Sequence, residues 1–260
     1  VIKTNGEIIE HQSLAKHIFL LSLRYSETNL IVEPGQFVQL SCPGEHMTLL
    51  KRPFSVFEAT PNVVSIVYKV VGKGTTNLSG KRVGDFLEMI LPCGNPFSVP
   101  QEEGLNVLIG GGLGIAPLHF LTKYYPTIPF EFWYGTSYEE EWIPLHVLQR
   151  NGIDLHIHAD FYHSNHHSLQ FTENLLQKYQ RESATSPSKI YCCGPTKLMQ
   201  SVTKHCIERN IPIEVSLESR MACGFGICLG CSFLTKDGIK TVCKDGPTFD
   251  GSNVIWESLS

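Results

Sequence analysis

The chain has 260 residues, with 21 lysines and arginines against 25 aspartates and glutamates, for a formal net charge of −4. That near balance offers no basic stripe for a nucleic-acid backbone, and no apolar run approaches the roughly 18–20 residues of a membrane-spanning helix. The length suits two modest domains with a small module added. The opening Val1-Ile2-Lys3-Thr4-Asn5 lacks the long apolar core of a signal peptide. Nine cysteines, an odd number in a long chain, fit reduced thiols in a cytoplasmic setting better than a secreted disulfide framework.

Up to about residue 100 the chain reads as short strands between turns. Strand patterns run over His17–Leu23, Gln36–Leu40 and Val63–Val70, separated by Pro34-Gly35, Cys42-Pro43-Gly44, Thr60-Pro61-Asn62 and Gly72-Lys73-Gly74. Such spacing predicts an antiparallel β-barrel or sandwich. After Gly104 the pattern changes. Val107–Ile109 is a short apolar strand, followed by Gly110-Gly111-Gly112-Leu113-Gly114 and a helical pattern through Leu118, Phe120 and Leu121. Further strands are expected at Phe130–Tyr134, Leu155–His158 and Lys189–Cys192, with helix between them, for example over Thr172–Gln180. This alternation predicts a parallel α/β sheet. The expected division is a β-domain over 1–102, an α/β domain over 103–217 and a small module over 218–260.

Two glycine-rich turns invite a phosphate reading. The strand–glycine–helix run from Val107 to Leu118 places backbone N–H groups at the positive end of a helix, where an anion is favoured. It is not a strict G-x-G-x-x-G, and packing alone also produces such turns. The run Val71-Gly72-Lys73-Gly74-Thr75-Thr76-Asn77-Leu78 offers N–H and hydroxyl donors, but an ordinary turn explains it as well.

The last forty residues carry the sharpest signal: Cys223-x4-Cys228-x2-Cys231-x11-Cys243, with glycines between the first three thiols. This is the ligand spacing of a plant-type [2Fe–2S] cluster. Glycine lets a tight loop turn its amides toward the sulfurs. A structural zinc site would more often use two separate C-x2-C pairs, and disulfides are the remaining alternative. The other cysteines, Cys42, Cys93, Cys192, Cys193 and Cys206, sit in apolar or turn contexts. His156, His158, His163, His166 and His167 crowd one region, yet no acidic or thiol partner completes a metal set there. Trp133 and Trp256 read as packing residues.

The stretch Lys51-Arg52-Pro53-Phe54-Ser55-Val56 resembles the Arg-x-aromatic-Ser flavin motif of the ferredoxin–NADP reductase superfamily. The order of elements matches too: a β-rich domain with that motif, then Gly-x-Gly-Thr, a glycine-loop α/β domain, and Cys193-Gly194-Pro195 after a strand. The resemblance implies FAD held by Arg52, Pro53, Phe54 and Ser55, with Val67, Tyr68, Lys69, Gly74 and Thr75. Arg52 would pair with the pyrophosphate, Phe54 would pack on flavin or ribityl, and Ser55 would reach toward flavin N5. Many relatives have Tyr where this chain has Phe54. NAD would lie against Gly111, Gly112, Gly114, Cys193, Gly194 and Pro195. Glu139-Glu140-Glu141, after the second strand of the nucleotide domain, would repel a 2′-phosphate and favour NAD over NADP.

With the cysteine-rich tail from Ser216 to Cys231 added, the chain resembles the electron-transfer subunits of type B, NAD-dependent dihydroorotate dehydrogenase. That resemblance implies a partner, an FMN-containing catalytic subunit that oxidises dihydroorotate in pyrimidine synthesis, assembled with two of each subunit. Electrons would pass from it through the cluster of Cys223, Cys228, Cys231 and Cys243 and through FAD to NAD. No side-chain acid or base is expected, and Ser55 and Cys193 would tune alignment. The alternatives keep the cofactors and change the complex, to a hydrogenase, sulfite reductase or ferredoxin-linked transhydrogenase. A different class again is a non-catalytic, zinc-stabilised module on the same fold.

Overall fold

The computed structural model describes residues 1–46, 48–136, 138–148, 153–157 and 187–259, with backbone only at 139, 145–146 and 153–157. The expected helix over 172–180 and the histidines at 158, 163, 166 and 167 lie outside the described residues, as does the side chain of His156.

Strands β1 (Ile2–Ala15), β2 (Ile18–Arg24), β3 (Phe37–Leu40), β4 (Arg52–Thr60), β5 (Val63–Lys69) and β6 (Phe86–Cys93) close into a barrel in the order β1-β2-β5-β4-β3-β6. Every pairing is antiparallel. Alternation along the strands turns Leu21, Leu23, Val38, Leu40, Val56, Ile66 and Met89 inward, where they are essentially inaccessible to water. Each such side chain contributes roughly 1.5–3 kcal/mol by leaving water. A short helix, α1 (Lys73–Ser79), links β5 to β6.

The second sheet has the order β14-β11-β10-β7-β8-β9. Strands β7 (Asn106–Gly111), β8 (Phe130–Gly135), β9 (Ile153–Ile157), β10 (Lys189–Cys193) and β11 (Ile213–Ser216) run parallel to one another, and the edge strand β14 (Thr248–Asp250) is antiparallel to β11. Strands β7 and β8 are covered on both faces, so they read as unbroken apolar runs rather than alternating ones. Helix α2 (Ile115–Tyr124) follows β7 and is buried from Ile115 to Thr122 because it is wedged between β7 and barrel strand β4. A helix covered all round is apolar all round. The short α3 (Leu145–Leu148) precedes β9, and α4 (Thr196–Glu208) buries Leu198, Met199, Val202 and Cys206 on one side. Trp133 is core, with its indole N–H donating to Glu131 Oε1 at 2.6 Å, and Trp256 packs at the core's margin.

After β11 the chain forms the cysteine loop and a hairpin of β12 (Ser232–Thr235) with β13 (Gly238–Thr241). It then returns as β14 (Thr248–Asp250), antiparallel to β11 with Glu214 opposite Asp250. Cys231, Phe233, Val242 and Cys243 belong to one apolar core with Val107, Ile109 and Val215 of the sheet and Phe37 of the barrel. Barrel and sheet are also joined by charge: Lys16 pairs with Glu140 and Lys69 with Glu141, each at 2.5 Å, and Lys123 pairs with Glu58.

Candidate functional site

A cleft of about 400 Å³ opens between barrel and sheet. Arg52, Pro53, Phe54 and Ser55 reach it from β4, Val67, Tyr68 and Lys69 from β5, and Gly74 and Thr75 from α1. All the residues expected at FAD thus line one cavity, although they come from three separate elements. The registers explain part of this. β4 and β5 are neighbours in the barrel, and α1 starts four residues after β5 ends. Arg52 and the exposed Lys73 give the cleft a positive side suited to an anionic ligand. Gly74 lies close against Arg52, since a Cβ there would stand 3.3 Å from Arg52 Nε. The Arg52 guanidinium donates to the backbone oxygens of Leu50 and Lys51 at 2.8 and 3.3 Å, which holds its fork in place.

The opposite, apolar side of the cleft packs tightly. Phe54 meets Tyr68 edge-on at 5.9 Å, and Phe19 stacks on Tyr68 at 5.6 Å. Tyr68 is linked through its hydroxyl to His11 Nε2 at 2.9 Å. Burial pushes the Tyr68 phenol far above its usual range, so it stays neutral. Thr75 behaves differently from the expectation of a free donor. Its hydroxyl accepts from the amides of Val71 and Gly72 at 2.9 and 3.1 Å and donates to the Gly72 carbonyl. It therefore shapes the loop.

Several residues of this cleft carry no signal in the sequence: Phe37, Leu113, Ala116, Leu217, Glu218, Ser219, Met221 and Pro247. Apart from Phe37 of barrel strand β3, they arrive from the sheet side and from the link into the cysteine loop, so only the folded arrangement brings them together. Glu218 is reached by water within the cleft, yet the protein around it raises its carboxyl above the ordinary value.

The glycine loop after β7 and the Cys193-Gly194-Pro195 turn after β10 meet at adjacent strand ends. The sheet order departs from β7 in two directions, to β8 on one side and to β10 on the other. Ligands of open parallel sheets sit in the crevice at such a switch point, beyond the carboxyl ends of the strands. The contacts separate two roles for the glycines. A Cβ on Gly111 would lie 2.7 Å from Pro195 Cδ, one on Gly114 2.6 Å from the Gly194 nitrogen, and one on Gly194 2.9 Å from the Gly111 backbone. These three glycines let the two turns pack backbone to backbone. Gly112, at φ +55°, has open space where a side chain would go. Cys193 beneath this turn is buried, and burial keeps its thiol protonated.

The acidic run gives a different picture from the ribose reader expected of it. Glu140 and Glu141 are engaged by Lys16 and Lys69 of the barrel, and the side chain of Glu139 is not among those described. The charge of this turn is partly neutralised by its docking on the barrel.

The four cysteines of the tail come together as two pairs. Cys231 and Cys243 are buried with their sulfurs 3.3 Å apart, and the Cys228 amide donates to Cys223 Sγ at 3.5 Å. The Gly226 amide donates to Cys243 Sγ at 3.1 Å. Gly224 and Gly226 have φ near +81° and +86°, and even Leu229 is at +58°. A Cβ on Gly226 would stand 2.6 Å from Lys244 Cδ, so the loop depends on glycine there. Burial opposes ionisation of Cys223, but the amides of Cys228, Phe225 and Ile227 outweigh it and bring the thiol down to about 6. Burial and the neighbouring Cys231 push Cys243 up to about 12. Among the described residues no three Cys, His, Asp or Glu side chains surround a single metal position. Two thiol pairs with amides turned to sulfur suit a binuclear cluster better than one zinc ion.

The profile of the iron–sulfur cluster binding domain of dihydroorotate dehydrogenase B matches residues 218–255. Over nearly its whole length the chain is similar to proteins named dihydroorotate dehydrogenase B (NAD(+)), electron transfer subunit. The Clostridium acetobutylicum protein is 31% identical over 252 residues, covering 97% of each chain. That of Clostridium perfringens is 32% identical over 254 residues, covering 96% of each. Among solved structures, a chain of the NADH-dependent reduced ferredoxin–NADP oxidoreductase, known for flavin-based electron bifurcation, superposes with a TM-score of 0.84 at 28% identity. It covers 98% of this chain and 91% of that one. From its fold, its cleft and these relatives, the chain belongs to the family of dihydroorotate dehydrogenase B electron transfer subunits.

Proposed function

We propose that this chain carries electrons between a dihydroorotate-oxidising catalytic subunit and NAD, using a [2Fe–2S] cluster and FAD. The observation that carries the reading is the continuity of the two sites: Met221 lines the cleft of the Arg52–Ser55 motif and stands two residues before Cys223. When bound, NAD exchanges electrons as a hydride, the cluster exchanges them singly, and FAD does both. The chain supplies position. Arg52 and Lys73 would hold the pyrophosphate of FAD, Phe54 and Tyr68 would wall its ring system, and Ser55 would orient it by hydrogen bonding. Cys223 with Cys228, and Cys231 with Cys243, hold the iron. Gly112, with open space beside it at the switch point, would leave room for the nicotinamide nucleotide, and Gly111, Gly114, Gly194, Pro195 and Cys193 would shape that bed.

This reading keeps a flavin barrel over 1–102, a nucleotide domain over 103–217 and a cluster module over 218–260, with β14 reaching back into the sheet. The cluster loop also offers a face for a partner. Cys228 is exposed, and Phe225, Ile227 and Leu229 around it are 42%, 75% and 61% exposed. An apolar crest beside a redox centre suits docking of the FMN-containing subunit, in a complex with two of each subunit. No helix among the described residues is long and apolar enough to cross a membrane, and we place the complex in the cytoplasm on its free thiols.

The test is orotate-dependent oxidation of NADH by the protein isolated anaerobically with its co-purifying subunit. Turnover that stops when that subunit is removed supports the reading. The likeness to the bifurcating oxidoreductase favours a second reading, in which the same chain serves another complex. NADH bleaching of the flavin with no electrons drawn by orotate, in the presence of an FMN-loaded partner, would select it.

A further inference from the structure

Gln39 is wholly buried in β3. In register it lies opposite Pro53, within the Arg52–Ser55 motif, and on its other side opposite Ile90 of β6. Its side chain crosses to the cysteine loop. A Cβ on Gly224 would stand 2.5 Å from both Cγ and Nε2 of Gln39, so this glycine leaves room for the carboxamide. Nε2 lies 3.7 Å from Met221 Sδ, a weak acceptor, and Oε1 has no hydrogen-bond partner among the described residues. A primary amide carries two N–H donors, and the thioether engages one of them. A leucine or methionine would fill the same space without burying an amide, so packing of the barrel does not account for glutamine here.

We infer that Gln39 is a positioning residue of the electron path: its second amide N–H, held against Gly224 of the cluster loop, donates to the sulfur side of the bound cluster and raises the cluster's reduction potential. This rests on the reading of Cys223, Cys228, Cys231 and Cys243 as cluster ligands. The chemistry follows from charge. Reduction adds negative charge to the sulfurs, and a donor aimed at them from a dry interior favours that form. Position adds to the case, because Gln39 touches the cluster loop with its side chain while its backbone adjoins the strand of the flavin motif.

The test is an EPR-monitored potential titration of Gln39→Met in the complex purified with its partner, alongside iron and flavin analyses. The expected result is full iron and flavin content with an unmoved flavin potential. The reduced-to-oxidised ratio of the cluster should fall about tenfold at a fixed potential, about 59 mV for one electron. Full iron content with an unmoved cluster potential overturns the inference. Where the variant does not assemble its cluster, wild-type protein labelled with 15N in the glutamine side-chain amide decides the matter. A 15N hyperfine coupling in the pulsed EPR spectrum of the reduced cluster supports the inference, and its absence overturns it. Wild-type protein without iron removes the cluster reading itself, an outcome distinct from either of these.

Discussion

Gly114→Ala tests the packing of the two turns beneath the nucleotide site. Gly114 has ordinary helical dihedrals, φ −59° and ψ −12°, so alanine costs nothing through backbone conformation. The added Cβ, however, would stand 2.6 Å from the Gly194 nitrogen and closer still to the Cys193 carbonyl. Ordinary contact begins near 3.4 Å, and the opposing atoms are backbone at the end of a paired strand, so no rotamer change relieves the clash. The turns must separate by about 1 Å, which places the cost near the upper end of overpacking, about 3 kcal/mol. For a chain of this size that lowers the unfolding midpoint by about 6–12 °C. Gly112→Ala is the control. Its Cβ meets nothing within 4 Å, and the φ of +55° costs about 1–2 kcal/mol for a side chain in the left-handed region. Unfolding of anaerobic holoprotein, followed by circular dichroism at one scan rate, should rank Gly114→Ala as the more destabilised. A Gly112→Ala midpoint as low as that of Gly114→Ala would refute the steric reasoning.

Lys69→Met and Glu141→Gln should show a coupling of about 0.5–1 kcal/mol in a double-mutant cycle of unfolding. High salt should shrink it, and zero coupling at low salt would mean that the pair does not join barrel to sheet. His205 is buried, and burial with the Arg209 charge holds its pKa down to about 4. The unfolded chain takes up this proton near pH 6.5 and the folded chain does not, so stability is lost as pH falls from about 6.5 toward 4. His205→Gln should reduce the stability difference between pH 7 and pH 4.5 by about 2 kcal/mol, whereas an unchanged difference would assign the acid slope to other groups. Ile227→Asp on the exposed crest should weaken co-purification of the catalytic subunit at least about tenfold. Reduction of the flavin by NADH should persist, and undiminished pairing would place the docking face elsewhere.

The residues that sequence reveals here are those whose chemistry is local. The spacing from Cys223 to Cys231 is itself the shape of a loop, and β7 announces itself because both its faces are covered. Strand β1 shows no clear period in the sequence, because a long barrel strand with one face in water mixes Lys3, Glu7, Glu10 and His11 with its apolar positions. Strands β12 to β14 are three or four residues each, too short to show a period. The glycine loop illustrates a subtler limit. Its glycines are visible in sequence, but only the opposing turn at Gly194 shows that two of them, Gly111 and Gly114, answer to packing. Gln39 had no local signal at all, since its neighbours Met221 and Gly224 are far away along the chain. Glu140 and Glu141 read as free carboxylates until Lys16 and Lys69, from the barrel, claim them.

The cysteine loop leaves the sheet at β11 and comes back to it as β14, so the segment between them is fastened at both ends. Its return strand also closes the outer edge of β11, with the Leu217 amide bound to the Pro247 carbonyl at 2.8 Å and Phe249 edge-on to Phe233 at 4.9 Å. An unpaired parallel strand is a template on which other chains can add. With Cys223, Cys228, Cys231 and Cys243 as the proposed iron ligands, a molecule that has not yet received iron would lack the anchor that ties the two cysteine pairs together, and its return strand joins the sheet ladder through three residue pairs. Metal supply and solubility are thereby tied together: iron starvation is expected to yield aggregated chains as well as inactive ones.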